Sequence, residues 1–285
     1  MTDRQRRMER RRGVRVVLSA RDQALLRGVA RFRVARSSDL ARLYFADVSR
    51  ERSTQRLRQL FDGQLLDVRF GRLSEPNVYS LGPLGRVWAE EHSMKVGRVP
   101  SGDLRHHLAV VECWSRLAAT TRRRLSLRLE KFQPDWEIRE AEKALPVVPD
   151  GLIELSRGGD ALCREHFVLE VDLATERLEA LRSKFGRYAL LQGMASDALS
   201  WPFFVLVVVL AEGGQRRQEM VSRLLELELP GFFLLLRRDE WPDALLDRVA
   251  TGALPTDPSS SRERVSHASG VAAATSSQEE AEHSR

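Results

Sequence analysis

The chain has 285 residues, 46 Lys and Arg against 40 Asp and Glu, a net charge of +6 and 42% hydrophobic residues. That apolar fraction excludes global disorder, and the length suggests about two domains. The longest apolar run, Trp201 to Ala211, has 11 residues, well short of the roughly 20 that a bilayer-spanning helix needs.

The opening MTDRQRRMERRRG lacks the apolar core of a signal peptide. Cys113 and Cys163 lie 50 residues apart without metal-type spacing, which argues against both a disulfide scaffold and a zinc site. These features point to a cytoplasmic protein without membrane association. The charge is uneven. Residues 1–100 hold 22 basic and 11 acidic side chains, a balance of +11, and the remainder holds 24 and 29, a balance of −5. A basic first third on a mildly acidic remainder is the pattern of a protein that meets a polyanion N-terminal end first.

Residues 1–15 read as a basic disordered arm. Residues 16–92 read as a compact helical unit with a hairpin. Ser19 and Asp22 stand in capping-box spacing at the start of a first helix, which runs to about Val34 with Leu25, Leu26, Val29 and Phe32 as its apolar stripe. A short second helix follows Ser37-Ser38 and carries Leu40, Leu43 and Phe45. A third runs from near Ser49 to Asp62, with Ser53, Leu57, Leu60 and Phe61 on one face and Gly63 as its stop. Leu66, Val68 and Phe70 then alternate, GRLSEPN turns the chain, and Val78-Tyr79 starts the return strand. A fourth helix spans Leu84 to Glu91. This is the order of a winged helix-turn-helix.

On the third helix, Arg52, Gln55 and Gln59 share the outer face, with Arg50 at its start and Arg56 and Arg58 at its flanks. Arg pairs with guanine O6 and N7, and Gln with adenine N6 and N7, so this face suits a major groove of double-stranded DNA. Arg69 and Arg72, on or near the wing, suit phosphates.

Residues 103–250 alternate helices and strands. A long helix covers Asp103 to Arg123, and a strand follows around Ser126 to Glu130. Another strand is expected around Trp136 to Glu140. LPVVPDGLIEL and EHFVLEVDL form a hairpin about Gly158-Gly159. In its second strand Phe167, Leu169, Val171 and Leu173 face one way, and Val168, Glu170 and Asp172 the other. The two carboxylates therefore lie on one side, about 7 Å apart along the strand. Asp150, just after Pro149, can be brought against Glu170 by strand pairing. Three converging acids need a compensating cation, and Mg²⁺ or Mn²⁺ suits an all-oxygen site. A helix from near Thr175 places Lys184 and Tyr188 one turn apart, with Lys184 able to lean back toward the strand end. The apolar Phe203–Leu210 reads as a central strand covered on both faces. A helix over Gln215–Leu227 and a strand over Gly231–Leu236 complete the α/β unit. His106 and His107 show no acidic partner at metal spacing, Glu112 is a peripheral ligand candidate, and Trp114, Trp136, Trp201 and Trp241 read as core or edge aromatics. Residues 254–285, rich in Ser, Ala and charge, read as a disordered tail.

Pro149-Asp150 followed by Glu170-x-Asp172 on this element order resembles the PD-(D/E)XK nuclease-like superfamily, whose domain is a restriction-endonuclease-like α/β fold with a mixed central sheet. Combined with an N-terminal winged helix, the chain resembles the replication-relaxation family of bacterial plasmids and mobile elements. LSARDQALLRGVARFRVARSSDLARLYF, the block ending YSLGPLGR, PDGLIEL and LEVDLATERLEALRSKFGRY carry this likeness. One departure stands out: the superfamily Lys two residues after the second acid is here Asp172. In some members that Lys migrates to the neighbouring helix, which makes Lys184 the candidate.

The resemblance implies a DNA-binding protein acting in replication or its control. Its nuclease-like site would hold Mg²⁺ or Mn²⁺ at Asp150 and Glu170, with Asp172 or Glu176 assisting through water and Lys184 orienting the attacking water. Replication or mobilisation proteins and a second copy of the chain are the implied protein partners. The alternative is a non-catalytic DNA-binding regulator whose nuclease-like domain is degenerate and serves assembly or partner binding. A protein-interaction adaptor is the third reading.

Overall fold

The computed structural model describes residues 9–11, 13–69, 75–97, 104–141, 145–158 and 164–254. Arg72, most of the expected N-terminal arm and all but the first residue of the expected C-terminal tail lie outside them. The described chain is an α/β structure with ten helices, a five-stranded mixed sheet and a small three-stranded antiparallel sheet.

The N-terminal unit runs α1 (Ala20–Phe32), β1 (Val34–Arg36), α2 (Ser37–Tyr44), α3 (Arg50–Asp62), β2 (Leu66–Arg69), β3 (Val78–Leu81) and α4 (Pro83–Glu91). Ser19 caps α1 reciprocally with Asp22: its hydroxyl accepts from the Asp22 N–H, and Asp22 accepts from the Ser19 N–H at 2.8 Å. Such a box removes two of the unpaired donors at a helix start. Ser49 caps α3, and Ser53, Leu57, Leu60 and Phe61 are buried, as the 3.6 period requires. The small sheet has the order β1-β3-β2, with Val34 opposite Ser80 and Val68 opposite Tyr79. Its β1 escapes the sequence pattern, being three residues between two helices. Gly85 lets α4 pack directly on the turn after α3, since a Cβ there would meet the Leu65 carbonyl oxygen at 2.0 Å.

The larger unit runs α5 (Leu104–Thr121), β4 (Leu127–Pro134), α6 (Asp135–Ala141), β5 (Gly151–Arg157), β6 (Arg164–Asp172), α7 (Leu178–Gly193), α8 (Ala195–Leu199), β7 (Val205–Leu210), α9 (Gln215–Glu228), β8 (Phe233–Arg237) and α10 (Asp243–Thr251). Its sheet order is β4-β5-β6-β7-β8. The first three strands are antiparallel, and β6, β7 and β8 are parallel. Burial on both faces is what lets β7 be apolar throughout. Val205, Val207 and Val209 enter one core with α5 and α10, and Leu206, Val208 and Leu210 enter the other with α7 and α9.

The strand expected over Trp136–Glu140 is instead the helix α6. The alternation of buried Trp136 and Ile138 imitates a strand. However, the β4–β5 ladder ends at the pair Pro134–Gly151, and Asp135 pairs with Arg139 one turn on. The helix expected from Thr175 begins at Leu178.

One hydrophobic core runs through both units. It joins Leu25, Phe32 and Leu60 to Val111, Leu155 and Val207. Helix α5 is the shared wall. The buried His107 ring meets the Phe32 carbonyl at 2.7 Å and stacks on Trp136. Asp39, fully buried, accepts from Ser115 at 2.9 Å and from Arg42 at 2.8 Å. Arg36 donates to Glu112 at 3.0 Å, and Arg238 binds the same carboxylate from the far side. Glu112 is therefore committed to an interface clamp rather than to a metal.

Candidate functional site

Strand β6 lies where the sheet changes from antiparallel to parallel, and its C-terminal end carries Glu170 and Asp172. In open α/β sheets ligands bind outside the carboxyl ends of the strands. Asp150 reaches the same end from the chain leading into β5. Its N–H donates to the Leu169 carbonyl at 3.0 Å, and its Oδ2 accepts the Val171 N–H at 2.7 Å. The backbone ladder thus holds this carboxylate against β6, beside Glu170. His106, from α5, places Nε2 3.1 Å from Asp150 Oδ2. His106 has no acidic partner at local metal spacing, and this contact spans 44 positions, which local spacing cannot show.

Glu170 is 3% exposed. Its Oε1 accepts from Lys184 Nζ and its Oε2 from the Tyr188 hydroxyl at 2.6 Å. Lys184 and Tyr188 sit one turn apart on α7, so both donors reach a single carboxylate. Glu176 stands 3.7 Å from Lys184. Burial and the neighbouring charge of Asp150 push the Glu170 carboxyl up to about 7, outweighing Lys184 and Tyr188. Burial alone would lower the Lys184 ammonium, but Glu170 and Asp150 outweigh it and hold that group above its ordinary value. Lys184 therefore stays charged beside the carboxylate pair.

Asp172 does not join this cluster. Arg217 of α9 binds it with both arms, Nε to Oδ2 at 2.8 Å and Nη2 to Oδ1 at 3.0 Å, and the Ala174 N–H donates to Oδ1. Gly213 (φ 96°) shapes the turn that admits Arg217, since a Cβ there would lie 2.9 Å from the Arg217 side chain. Arg217, His106 and the buried hydroxyl of Tyr188 are the site groups that the sequence reading did not assign. Only Tyr188, one turn from Lys184, carried a local signal.

The cluster opens into a cleft of about 440 Å³ lined by His106, Asp150, Glu170 and Lys184, with Arg139 and Arg187 also on its wall. Among the described residues no three or more His, Cys, Asp and Glu side chains are grouped to enclose a metal ion. The donors present are the two carboxylates of Asp150 and Glu170. That set suits Mg²⁺ or Mn²⁺ rather than zinc, because a hard cation of this kind commonly takes one or two carboxylates and completes its shell with water and phosphate. The two carboxylates facing one cleft are the geometry into which such a cation fits.

The face of α3 divides. Arg50, Arg52 and Gln55 are exposed, as is Arg69 on β2. Arg56 turns back to the α1 cap, pairing with Asp22 at 2.5 Å and donating to Gln59 Oε1 and the Val17 carbonyl. Burial would raise Asp22, yet the bonds from Arg56 and Ser19 outweigh it and hold this carboxyl below its usual range. Arg58 pairs with Asp62 at 3.0 Å and donates to the Glu9 carbonyl. Arg56 and Arg58, expected to flank a reading face, thus serve internal pairs, each beside a buried acid.

Residues 26–198 match the family described as replication-relaxation. This covers more than half of the 285 residues, and the chain belongs to the replication-relaxation family. Membership ties it to replication or its control. The matched span includes α3, Asp150, Glu170 and Lys184, and it ends before Arg217. No curated protein and no solved structure matches the chain. Among the described residues no helix is long and apolar enough to cross a membrane.

Proposed function

We propose that this protein binds double-stranded DNA of a plasmid or mobile element through α3, in replication or its control, and hydrolyses a phosphodiester at the Asp150–Glu170 cleft. The N-terminal order α1-β1-α2-α3-β2-β3, with sheet order β1-β3-β2, supports a winged helix. The order α5-β4-α6-β5-β6-α7-α8-β7, with three antiparallel strands and then parallel ones, supports a restriction-endonuclease-like PD-(D/E)XK domain. The observation that carries the reading is Lys184 donating to Glu170 beside Asp150. It places a lysine from the neighbouring helix at the acidic pair, where this chain has Asp172 instead of the usual Lys.

In this reading Arg50, Arg52 and Gln55 engage the major groove, and Arg69 a phosphate. Asp150 and Glu170 would hold Mg²⁺ or Mn²⁺, which would supply charge stabilisation at the scissile phosphate. Lys184, kept charged by the carboxylates, orients the attacking water. Tyr188 fixes the second oxygen of Glu170 so that its first faces Lys184. Arg139 and Arg187 receive the flanking phosphates.

A second reading has its own support. Both oxygens of Glu170 are already satisfied within the protein, and Asp172 is matched by Arg217. A site so neutralised can serve as a rigid assembly surface in a non-catalytic regulator, alone or as a homodimer with replication or mobilisation proteins.

Supercoiled plasmid with Mg²⁺ or Mn²⁺ separates the two. The cleavage reading expects nicking by wild type and none by an Asp150→Ala/Glu170→Ala variant that still binds DNA. Intact plasmid with wild type, across both metals and linear or branched DNA, rejects it in favour of the regulator.

A further inference from the structure

A second cavity, of about 860 Å³, opens where the two units meet. None of its lining residues belongs to the carboxylate cleft. The end of α1 forms one wall, α5 and α6 another, and the segment after α4 a third. Its size lies within the roughly 300–1,000 Å³ usual for small-ligand sites, which favour such junctions.

The wall is aromatic. Phe32 stacks on half-buried Trp114 at 3.9 Å and meets the Trp136 edge at 5.8 Å. The charges around it are unequal. Arg31 is matched by Glu137 at 2.7 Å and Lys95 by Glu140 at 3.2 Å. Arg27 and Arg33 also line the cavity, and neither forms an ion pair among the described residues. The Arg33 guanidinium instead lies 5.4 Å from the Trp136 ring centre and that of Arg27 5.7 Å from the Trp88 ring centre. Arg33 also has φ 64° and ψ −43°, a left-handed conformation outside the helical well and costly for any residue but glycine. Backbone outliers of this kind concentrate at ligand clamps.

We propose that this cavity binds a mononucleotide. The base rests on half-buried Trp114, which the buried Phe32 ring backs, and the dianionic phosphate is drawn to Arg27 and Arg33. Two cations without an ion pair among the described residues equal the charge of one phosphate monoester near neutral pH. Arginine is the cation suited to both neighbours, because its planar fork pairs with phosphate oxygens and its face lies on aromatic rings. A bound nucleotide would touch both units at once, and it would act independently of whether the carboxylate cleft cleaves DNA.

The test uses the full chain, titrated with AMP and GMP and followed by calorimetry and tryptophan fluorescence. Adenosine, inorganic phosphate and a single-stranded oligothymidylate are the comparison ligands. Saturable binding of a mononucleotide is expected, with adenosine and phosphate each at least about tenfold weaker. An Arg27→Gln/Arg33→Gln variant should weaken it by at least about tenfold. Arg33→Gly provides a control for folding, because it relieves the left-handed backbone. It should keep or raise the melting temperature and still lose affinity. Absence of saturable binding at millimolar mononucleotide overturns the proposal, as does unchanged affinity in the double variant. Arginine-dependent binding of the oligonucleotide without binding of mononucleotides overturns it too, in favour of a single-strand groove.

Discussion

In the N-terminal unit the arginines fall into two sets. Arg56 and Arg58 are anchored by the buried acids Asp22 and Asp62, while Arg50 and Arg52 remain exposed. At the end of β6 the acids fall into two sets as well. Asp172 is matched by one guanidinium with two parallel bonds. Glu170, two residues earlier, has a single ammonium and shares its surroundings with Asp150. The two regions differ in where they leave charge unbalanced. The basic unit leaves it on an outer helix face in water, where it is inexpensive and screened. The sheet unit leaves it buried, where it costs stability. Proteins that tolerate such a cost commonly do so at a functional site.

The contrast within β6 is open to a strong challenge. Arg217→Ala leaves Asp172 buried without its partner and should destabilise by about 3–5 kcal/mol. Lys184→Ala should cost less, because the raised carboxyl of Glu170 can take up a proton instead. Urea midpoints of the two variants at pH 7 decide this. Equal losses would make the two carboxylates equivalent and remove the distinction.

The same logic applies to α3 at a smaller scale. Arg56→Ala should cost about 2–3 kcal/mol, because Asp22 loses a charged donor while buried at a helix cap. Its effect should appear as a lower melting temperature.

Asp150→Asn sharpens the electrostatic side. The substitution keeps an oxygen for the Val171 N–H and removes one negative charge. In the wild type the folded Glu170 carboxyl titrates near 7, above its ordinary 4.5. A raised carboxyl contributes stability that is whole below about 4.5 and lost as pH rises through about 7. The variant should flatten that loss by about 1–2 kcal/mol at pH 8. Urea unfolding at pH 5 and pH 8 reads it, and an unchanged slope would mean that Asp150 is not what loads Glu170. Mg²⁺ should raise the wild-type melting temperature at pH 8 and leave that of the variant nearly unmoved.

The smallest effect on stability belongs to Arg50→Ala/Arg52→Ala. Exposed positions should stay within about 0.5 kcal/mol. DNA affinity should nevertheless fall, and its salt slope should shrink by about one for each phosphate contact removed. Unaltered affinity and slope would take α3 out of the interface.

The sequence made some of this visible. Helices α1 to α4 were legible because their signals are local: the Ser19–Asp22 box, the Ser49 cap and buried residues at period 3.6. The Glu170–Lys184 contact was legible because it joins consecutive elements across 14 positions. Arg217 meets Asp172 across 45 positions and His106 meets Asp150 across 44, so their pairing depends on sheet order rather than on spacing. Helix α6 was misread because Trp136 and Ile138 are buried for different reasons. Trp136 packs on His107 of α5 and Phe32 of α1, and Ile138 enters the core beneath α7. Opposite faces of a short helix then look like alternation.

The clamp at Glu112, with Arg36 of β1 on one side and Arg238 after β8 on the other, fastens the α3-bearing unit to the sheet. On the proposed function such a molecule would act as a ruler. If α3 fixes the register on a duplex, the acidic cleft can address only phosphates at a set number of base pairs from that mark. Any cut, or any contact protected from chemical attack, should then fall at a constant offset from the bound site, whatever sequence lies between them.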